Sequence, residues 1–325
     1  MSPIERVPLA YNNVYFVSDA SELVVIDTGP NYRGAAEVIL GALAGRTPSL
    51  VVATHGHLDH AGLGAWWQER RVPVLLGAHD VGQALGDTDR DLTDLEHFVE
   101  RCGAPPDIAA EVNAGLELRR RWTHEMRTAL TWREPGDGRW PTALRYPPFE
   151  PSQVIDKATQ LPCRLTALPS PGHTPGNLVV LLEEDSPGRA ELFSGDQLLP
   201  EITPTPAIQF HDGKRFPSLP RFLESLERLL ERYPSLAHCY PGHGEPFANV
   251  SEVIAANLEQ ARIRSERLYE DLRAGGPAPL YVIAERMYPR ALRRRFWQII
   301  STIQGQLDVL AEARLATCTD GSWSA

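Results

Sequence analysis

The segment Thr54-His55-Gly56-His57-Leu58-Asp59-His60-Ala61-Gly62 sets four metal-ligating side chains within six residues, just beyond the apolar run Ser49–Ala53. In an extended segment His55 and His57 project to the same side. Asp59 and His60 open the next helix, so they can face a second point nearby. One tetrahedral ion cannot readily take all four and still use ligands from elsewhere in the chain. Two ions a few ångströms apart can, which is the arrangement of two-metal hydrolytic sites.

Three further residues share a context. His173 follows CRLTALPS, Asp196 follows ELFSG and His243 follows LAHCYPG, each one residue after a glycine that closes an apolar run. Ligands of open α/β sheets gather at such strand ends, where glycine lets the backbone turn. These three supply the ligands that two ions still lack. A water between two dications loses a proton near neutral pH and becomes a nucleophile, so no Ser or Cys nucleophile is needed. Zinc is the default for so His-rich a set, and iron or manganese also suits it. Asp27 lies near a strand end, where it either orients a ligand histidine or only forms the Asp27-Thr28-Gly29 turn. His79, His97, His124, His211 and His238 match no ligand element and read as surface or hydrogen-bonded side chains.

The elements that must position these residues alternate between strand and helix. Strands are expected at Asn13–Val17, Leu23–Ile26, Ser49–Ala53 and Val72–Leu76, with helices at Tyr32–Leu43 and Ala61–Arg70. This βαβ alternation means an α/β layered fold. From about 78 to 148 the pattern is helical and reads as an insertion of two or three helices. Strands return at Cys163–Leu168, Leu178–Leu182, Glu191–Phe193 and Leu236–Tyr240, with a helix at Leu219–Arg232. After His243 the chain is helical: Glu252–Ala274, Pro279–Met287 and Ala291–Ala316. A division at 1–250 and 251–325 follows.

Composition narrows the function. Of 325 residues, 42% are hydrophobic and 23% charged, as in an ordinary globular protein. No apolar run is long enough for a membrane span, and the start lacks the pattern of a secretory signal, so a cytoplasmic protein is expected. The four cysteines, Cys102, Cys163, Cys239 and Cys318, are scattered without a CxxC pair and fit reduced, mostly buried thiols. A net charge of −10 argues against a dedicated nucleic-acid binder.

The combined motifs resemble the metallo-β-lactamase superfamily. Its HxHxDH signature matches His55, His57, Asp59 and His60. Its later elements match Gly172-His173, Gly195-Asp196 and Gly242-His243, and NNVYFV…LVVIDTGPN is similar to its opening hairpin. The resemblance covers about Val7 to Pro246 apart from the insertion and implies an αββα sandwich with metals at one edge. It further implies that His55, His57 and His173 hold one metal and Asp59, His60 and His243 the second, with Asp196 bridging. In that arrangement one metal polarises the carbonyl or phosphoryl oxygen and the other stabilises the leaving group, while Asp59 can also orient the nucleophile.

Asp196 and the second Gly-His element look more like the hydroxyacylglutathione hydrolases, lactonases and phosphodiesterases of the superfamily than like its secreted β-lactamases. The tail from about Ser251 is similar to the small helical, winged-helix-like domain of its endoribonuclease group. Between Arg262 and Arg295 nine arginines face four acidic residues, which reads either as a phosphate-binding surface or as a solvated helical face. The stripe Trp122, Met126 and Leu130 is expected either to cap the metals and receive an acyl chain or merely to pack the insertion. The expected substrate is a small carboxylic thioester or ester (acyl-CoA, acylglutathione or lactone), and the alternative is single-stranded RNA. No membrane partner is expected, and a homodimer is compatible with the sequence.

Overall fold

The computed structural model describes residues 4–10, 12–32, 34–86, 89–129, 146–183, 189–201, 207–211 and 213–325, with backbone alone for 89–90 and 122–129. The first sheet holds β1 (Ile4–Pro8), β2 (Asn13–Ser18), β3 (Leu23–Ile26), β4 (Leu50–Val52), β5 (Val74–Gly77) and β6 (Gln153–Ile155) in sequential order. Its first three strands are antiparallel and β3 to β6 run parallel. The second sheet is built from β7 (Thr159–Leu161), β8 (Leu165–Pro169), β9 (Leu178–Glu183) and β10 (Arg189–Gly195). A hairpin of β11 (Gln209–His211) and β12 (Lys214–Phe216) follows, and β13 (Ser235–Pro241) then joins the sheet parallel to β10.

Three apolar layers make this a four-layer αββα sandwich. Between the sheets, Tyr15, Val17, Val24, Ile26 and Val52 meet Leu165, Ala167, Leu178, Val180 and Phe193. On the outer face of the first sheet lie helices α1 (Ala35–Leu43), α2 (Leu58–Ala61) and α3 (Gly64–Glu69), where Ile39, Leu63, Trp66 and Trp67 pack on Phe16, Val25 and Val51. Strands buried on both faces need no polar alternation, which is why β2 and β3 read as continuous apolar runs.

A short α4 (Val81–Ala84) leads to the insertion, α5 (Asp89–Arg101) and α6 (Pro106–Ala129). Beyond it, α7 (Ser218–Arg232) and α8 (Val250–Gly275) cover the outer face of the second sheet. The tail continues with β14 (Ala278–Pro279), α9 (Leu280–Met287), α10 (Phe296–Glu312) and the hairpin β15 (Thr317–Thr319) and β16 (Ser322–Ser324). The expected division at 250 falls at the start of α8. Val250 and Ile254 in its first turns seal the second sheet, whereas Leu268 and Leu272 enter the tail core. Phe98, Val99, Cys102 and Ile108 of the insertion lie in that same tail core, so insertion and tail pack together. No helix among the described residues is long and apolar enough to cross a membrane.

The helix expected over Ala61–Arg70 is two helices with a break at Gly62-Leu63, and the cause is competition for hydrogen bonds. Asn12 Nδ2 donates to the Asp59 carbonyl (2.6 Å), while the Leu63 amide donates to Gly29 O (3.1 Å) and Thr28 Oγ1 (3.0 Å). The i→i−4 bond between Leu63 and Asp59 therefore cannot form, and α2 stays one turn long. The helix expected over Ala291–Ala316 likewise begins only at Phe296, after a 3₁₀ turn at Arg293–Arg295.

Candidate metal centre

The C-terminal ends of β3, β4, β8, β10 and β13 meet at one edge of the sandwich and deliver Asp27, His55, His173, Asp196 and His243 respectively. His57 follows on the loop into α2, and Asp59 and His60 lie within that helix. Among the described residues, three overlapping sets bring their ligand atoms within 4.8 Å of one another: His55, His57 and His173; His55, His60 and Asp196; and Asp59, His60 and His243. All seven side chains picked out from the sequence therefore converge. None of His79, His97, His211 and His238 joins these sets. His79 and His211 pack ring to ring, and His97 and His238 face Glu100 and Glu191. The side chain of His124 lies outside the described residues, as do those of Trp122, Met126 and Leu130. Cys239 is a buried free thiol bonded to Ser194.

Two clusters share one edge. His57 Nδ1 lies 2.9 Å from His55 Nε2 and 3.2 Å from His173 Nε2. His243 Nε2 lies 3.4 Å from His60 Nε2 and 3.2 Å from Asp59 Oδ2. Asp196 stands between them, with Oδ1 3.3 Å from His243 and 3.4 Å from His60, and Oδ2 3.5 Å from His173. A Cβ at Gly242 would lie 2.5 Å from the His60 ring and 2.7 Å from Asp196 Oδ1, so only glycine lets the His243 loop come this close.

Neighbouring groups fix which nitrogens face inward. Asp27 Oδ2 accepts from His60 Nδ1 at 2.7 Å, and its Oδ1 accepts from the Thr54 hydroxyl at 2.8 Å and the Thr54 amide at 2.7 Å. With its proton given to Asp27, the Thr54 oxygen accepts from His55 Nδ1 at 3.1 Å. Both Nε2 atoms are thereby turned toward the cluster, that of His55 as a lone pair and that of His60 as the nitrogen whose proton a metal would replace, the usual function of a carboxylate behind a ligand histidine. Ring nitrogens crowded at 2.9–3.4 Å carry too few protons to pair them all, and buried Asp196 Oδ1 meets His60 and His243 only in long contacts of 3.4 and 3.3 Å. Cations satisfy both, so the donor set fits metal ions.

The signals for Asp27 and the seven ligands were visible in the sequence; those for the clamps around them were not. Asn13 Nδ2 donates to Pro241 O and Gly244 O, and the Tyr15 hydroxyl donates to Pro241 O, so β2 grips the His243 loop. The adjacent asparagines within YNNVYFV, polar residues in an otherwise buried run, are the only hint.

Charge divides the two clusters. Burial, and then neighbouring His60 and His57, push His55 well below the ordinary imidazole pKa. Burial and His57 bring His173 down to about 3. Burial also opposes charge on His60, but Asp27, Asp196 and Asp59 outweigh it and hold its pKa well above normal. For His243, burial is likewise outweighed by bonds to Asp196 and Asp59, and its pKa rises to about 10. The metal-free protein near pH 8 thus carries protons at His60 and His243 but not at His55 or His173. Any cation entering between Asp59, His60 and His243 must displace them.

The sign follows. His243 stabilises the metal-free fold fully below its unfolded pKa near 6.5, and that contribution fades as pH rises through about 10. Metal binding runs the opposite way and weakens as pH falls. Zinc titrated calorimetrically near pH 8, in buffers of differing ionisation enthalpy, is expected to release about two protons from His60 and His243, besides the one that water acidified by the ions loses. On acidification from pH 8 to 6.5, the ion beside His60 and His243 is expected to leave before the one among His55, His57 and His173.

Comparison with known proteins follows the same lines. The family model described as "Metallo-beta-lactamase superfamily" matches residues 7–243. A Bacillus subtilis (strain 168) protein described as "Probable metallo-hydrolase YqjP" is 24% identical over 333 residues, covering 98% of this chain and 94% of the relative. A second from that organism, "Probable metallo-hydrolase YybB", is 37% identical over 71 residues, 22% of this chain and 30% of its own. Among solved structures, the metallo-beta-lactamase family protein TTHA1429 from Thermus thermophilus superposes with a TM-score of 0.68 at 22% identity. It covers 99% of this chain and 97% of its own. A beta-lactamase domain protein from Burkholderia ambifaria gives 0.68 at 19% identity, covering 99% and 91%. At these identities the two structures show a shared fold.

Proposed function

Because the chain belongs to the metallo-β-lactamase superfamily, we propose that it is a two-metal hydrolase of a small carboxylic thioester or ester. In this reading His55, His57 and His173 would hold one ion and Asp59, His60 and His243 the other, with Asp196 between them. When bound, two divalent cations, zinc by preference, supply Lewis acidity and acidify water. The protein's part is to position groups. Asp27 keeps the ring nitrogens of His55 and His60 free for ligation, and Asp59 orients the attacking water by accepting its hydrogen bond.

The observation that carries the substrate class is the cavity beside His57. It has a volume of about 270 Å³, and Leu58, Ala61, Leu95, Phe149, Ile208 and Phe210 form apolar walls. That size suits a small ligand. Arg119 is the only arginine or lysine among its described lining residues, which is poor provision for a phosphate backbone. Leu95 and Arg119 come from the insertion, as an acyl-receiving cap would require.

The tail supports the same reading. Its order of helix, strand, two helices and hairpin fits a winged-helix-like domain. Yet α10, in the place of a groove-reading helix, buries Ile300, Ile303 and Leu307 in the tail core. Arg262, Arg286 and Arg293 are paired within the chain to Glu259 and Glu266, to Asp271 and to Glu111. These pairings offset the charge of three of the nine arginines that a phosphate-binding face would use.

The test is a panel of acyl-CoAs, acylglutathiones, lactones and a phosphate diester on zinc-loaded protein. Leu95→Ala and Phe210→Ala are expected to lower kcat/KM more for long acyl chains than for short ones, by about fourfold per lost methylene contact. Efficient cleavage of single-stranded RNA, with a steep salt dependence and no thioester or lactone turnover, would overturn the reading.

A further inference from the structure

Asp80 sits at the end of the 3₁₀ turn after β5, on no motif of the sequence, and is completely buried. Its carboxylate accepts three hydrogen bonds. Oδ2 takes the Gly56 amide at 2.9 Å and the Thr174 hydroxyl at 2.6 Å, while Oδ1 takes the Gly176 amide at 2.7 Å. Gly56 lies between His55 and His57, and Thr174 follows His173. One side chain therefore ties together the loops that carry three ligand histidines, and those loops leave different sheets of the sandwich. Backbone packing is built around the tie. A Cβ at Gly77 would fall 1.8 Å from Gly176 O, and a Cβ at Gly176 would fall 2.5 Å from the Asp80 amide nitrogen. The three segments approach as closely as bare backbone allows.

We propose that Asp80 is the positioning residue of one ion only, the one among His55, His57 and His173, by locking the His57 and His173 loops to each other. The inference rests on the two-metal reading above. Three donors converge on two oxygens, so the position demands a group that accepts at both ends and donates at neither. Aspartate meets that demand. Asparagine, nearly the same shape, turns an N–H₂ toward a donor and so cannot replace it. The cluster of Asp59, His60 and His243 gives no hydrogen bond to Asp80 and is held instead by Asn12, Asn13, Tyr15 and Asp27. The two ions therefore have separate supports.

The experiment is equilibrium dialysis of full-length protein against zinc, with elemental analysis, beside thermal unfolding of the metal-free forms. Wild type is expected to bind two ions. Asp80→Asn and Asp80→Ala should each keep one at wild-type affinity and lose the other by a factor of roughly 10–100. Adding His243→Ala to Asp80→Asn should weaken the remaining ion as well, whereas adding His173→Ala should weaken further only the ion that Asp80→Asn has already weakened. Thr174→Val deletes only one of the three bonds, so it covers the case in which Asp80 variants do not fold. It is expected to weaken the same single ion, with the metal-free unfolding temperature near that of wild type. Two ions bound normally by Asp80→Asn would overturn the proposal, as would equal weakening of both. Wild type that binds no zinc would sink the two-metal reading first, and this inference with it.

Discussion

Replacing Asp196 with alanine is expected to weaken both ions at once and to bring hydrolysis down to the uncatalysed background. Its two oxygens divide between the clusters, Oδ1 toward His60 and His243 and Oδ2 toward His173. No other carboxylate among the described residues is placed to do this, since Asp59 faces His60 and His243 alone. The loss at each ion should exceed the roughly 10–100-fold that a missing partner behind a ligand costs, because a ligand itself is gone. The charge also matters. In the metal-free protein His60 and His243 pull Asp196 well below the usual carboxylate range against the cost of burial, so the alanine strips a buried counter-charge from two imidazoliums. Zinc dialysis together with hydrolysis assays checks both parts. His97→Ala is the matched control: an exposed ring facing Glu100, whose removal should leave activity within a few-fold. Loss of only one ion from Asp196→Ala would show that it does not bridge.

How much of this could be read from sequence depends on the reach of each signal. The seven ligands announce themselves because ligation needs particular side chains, and because each sits where an apolar run stops at a glycine or a turn. β3, at Leu23–Ile26, is legible to the residue since both its faces are buried and its composition is uniform. The edge strands β1, β6 and β7 carry exposed or half-buried residues in three- to five-residue stretches, and nothing local separates them from loop. The three-stranded sheet of the tail is hidden for the same reason, with β15 wholly exposed. Asp80 is hidden differently. Its partners are backbone amides and a threonine, which leave no pattern in sequence, and its role exists only once two sheets have been stacked. The break between α2 and α3 belongs to this class too, because the competing groups, Asn12 and Gly29, are brought there by other elements.

Asp27→Asn and Asp27→Ala are expected to damage the protein in crossed order. The backbone at Asp27 has φ 66°, a conformation disfavoured for most non-glycine residues but tolerated by aspartate and asparagine, which limits what can replace it. Asparagine can keep an oxygen on the Thr54 amide and hydroxyl, so the end of β4 stays anchored. Its N–H₂, however, then faces His60 Nδ1, which must accept rather than donate. The His60 proton moves to Nε2 and points at Asp59 and His243, where it blocks ligation. Alanine imposes no tautomer but leaves the Thr54 amide and the His60 ring nitrogen without their partner in a buried site, at about 1–3 kcal/mol for each unsatisfied group. Metal-free Asp27→Ala should therefore be the less stable of the two in urea, by a few kcal/mol relative to wild type. Asp27→Asn should be the poorer binder of the ion beside His60, weakened by roughly 100-fold or more. The ion among His55, His57 and His173 should suffer less in both, since His55 depends on Asp27 only through Thr54. Zinc titration and urea unfolding on the same two variants measure the crossing. Asp27→Asn that binds two ions as wild type does would show that His60 keeps its inward lone pair by some other means.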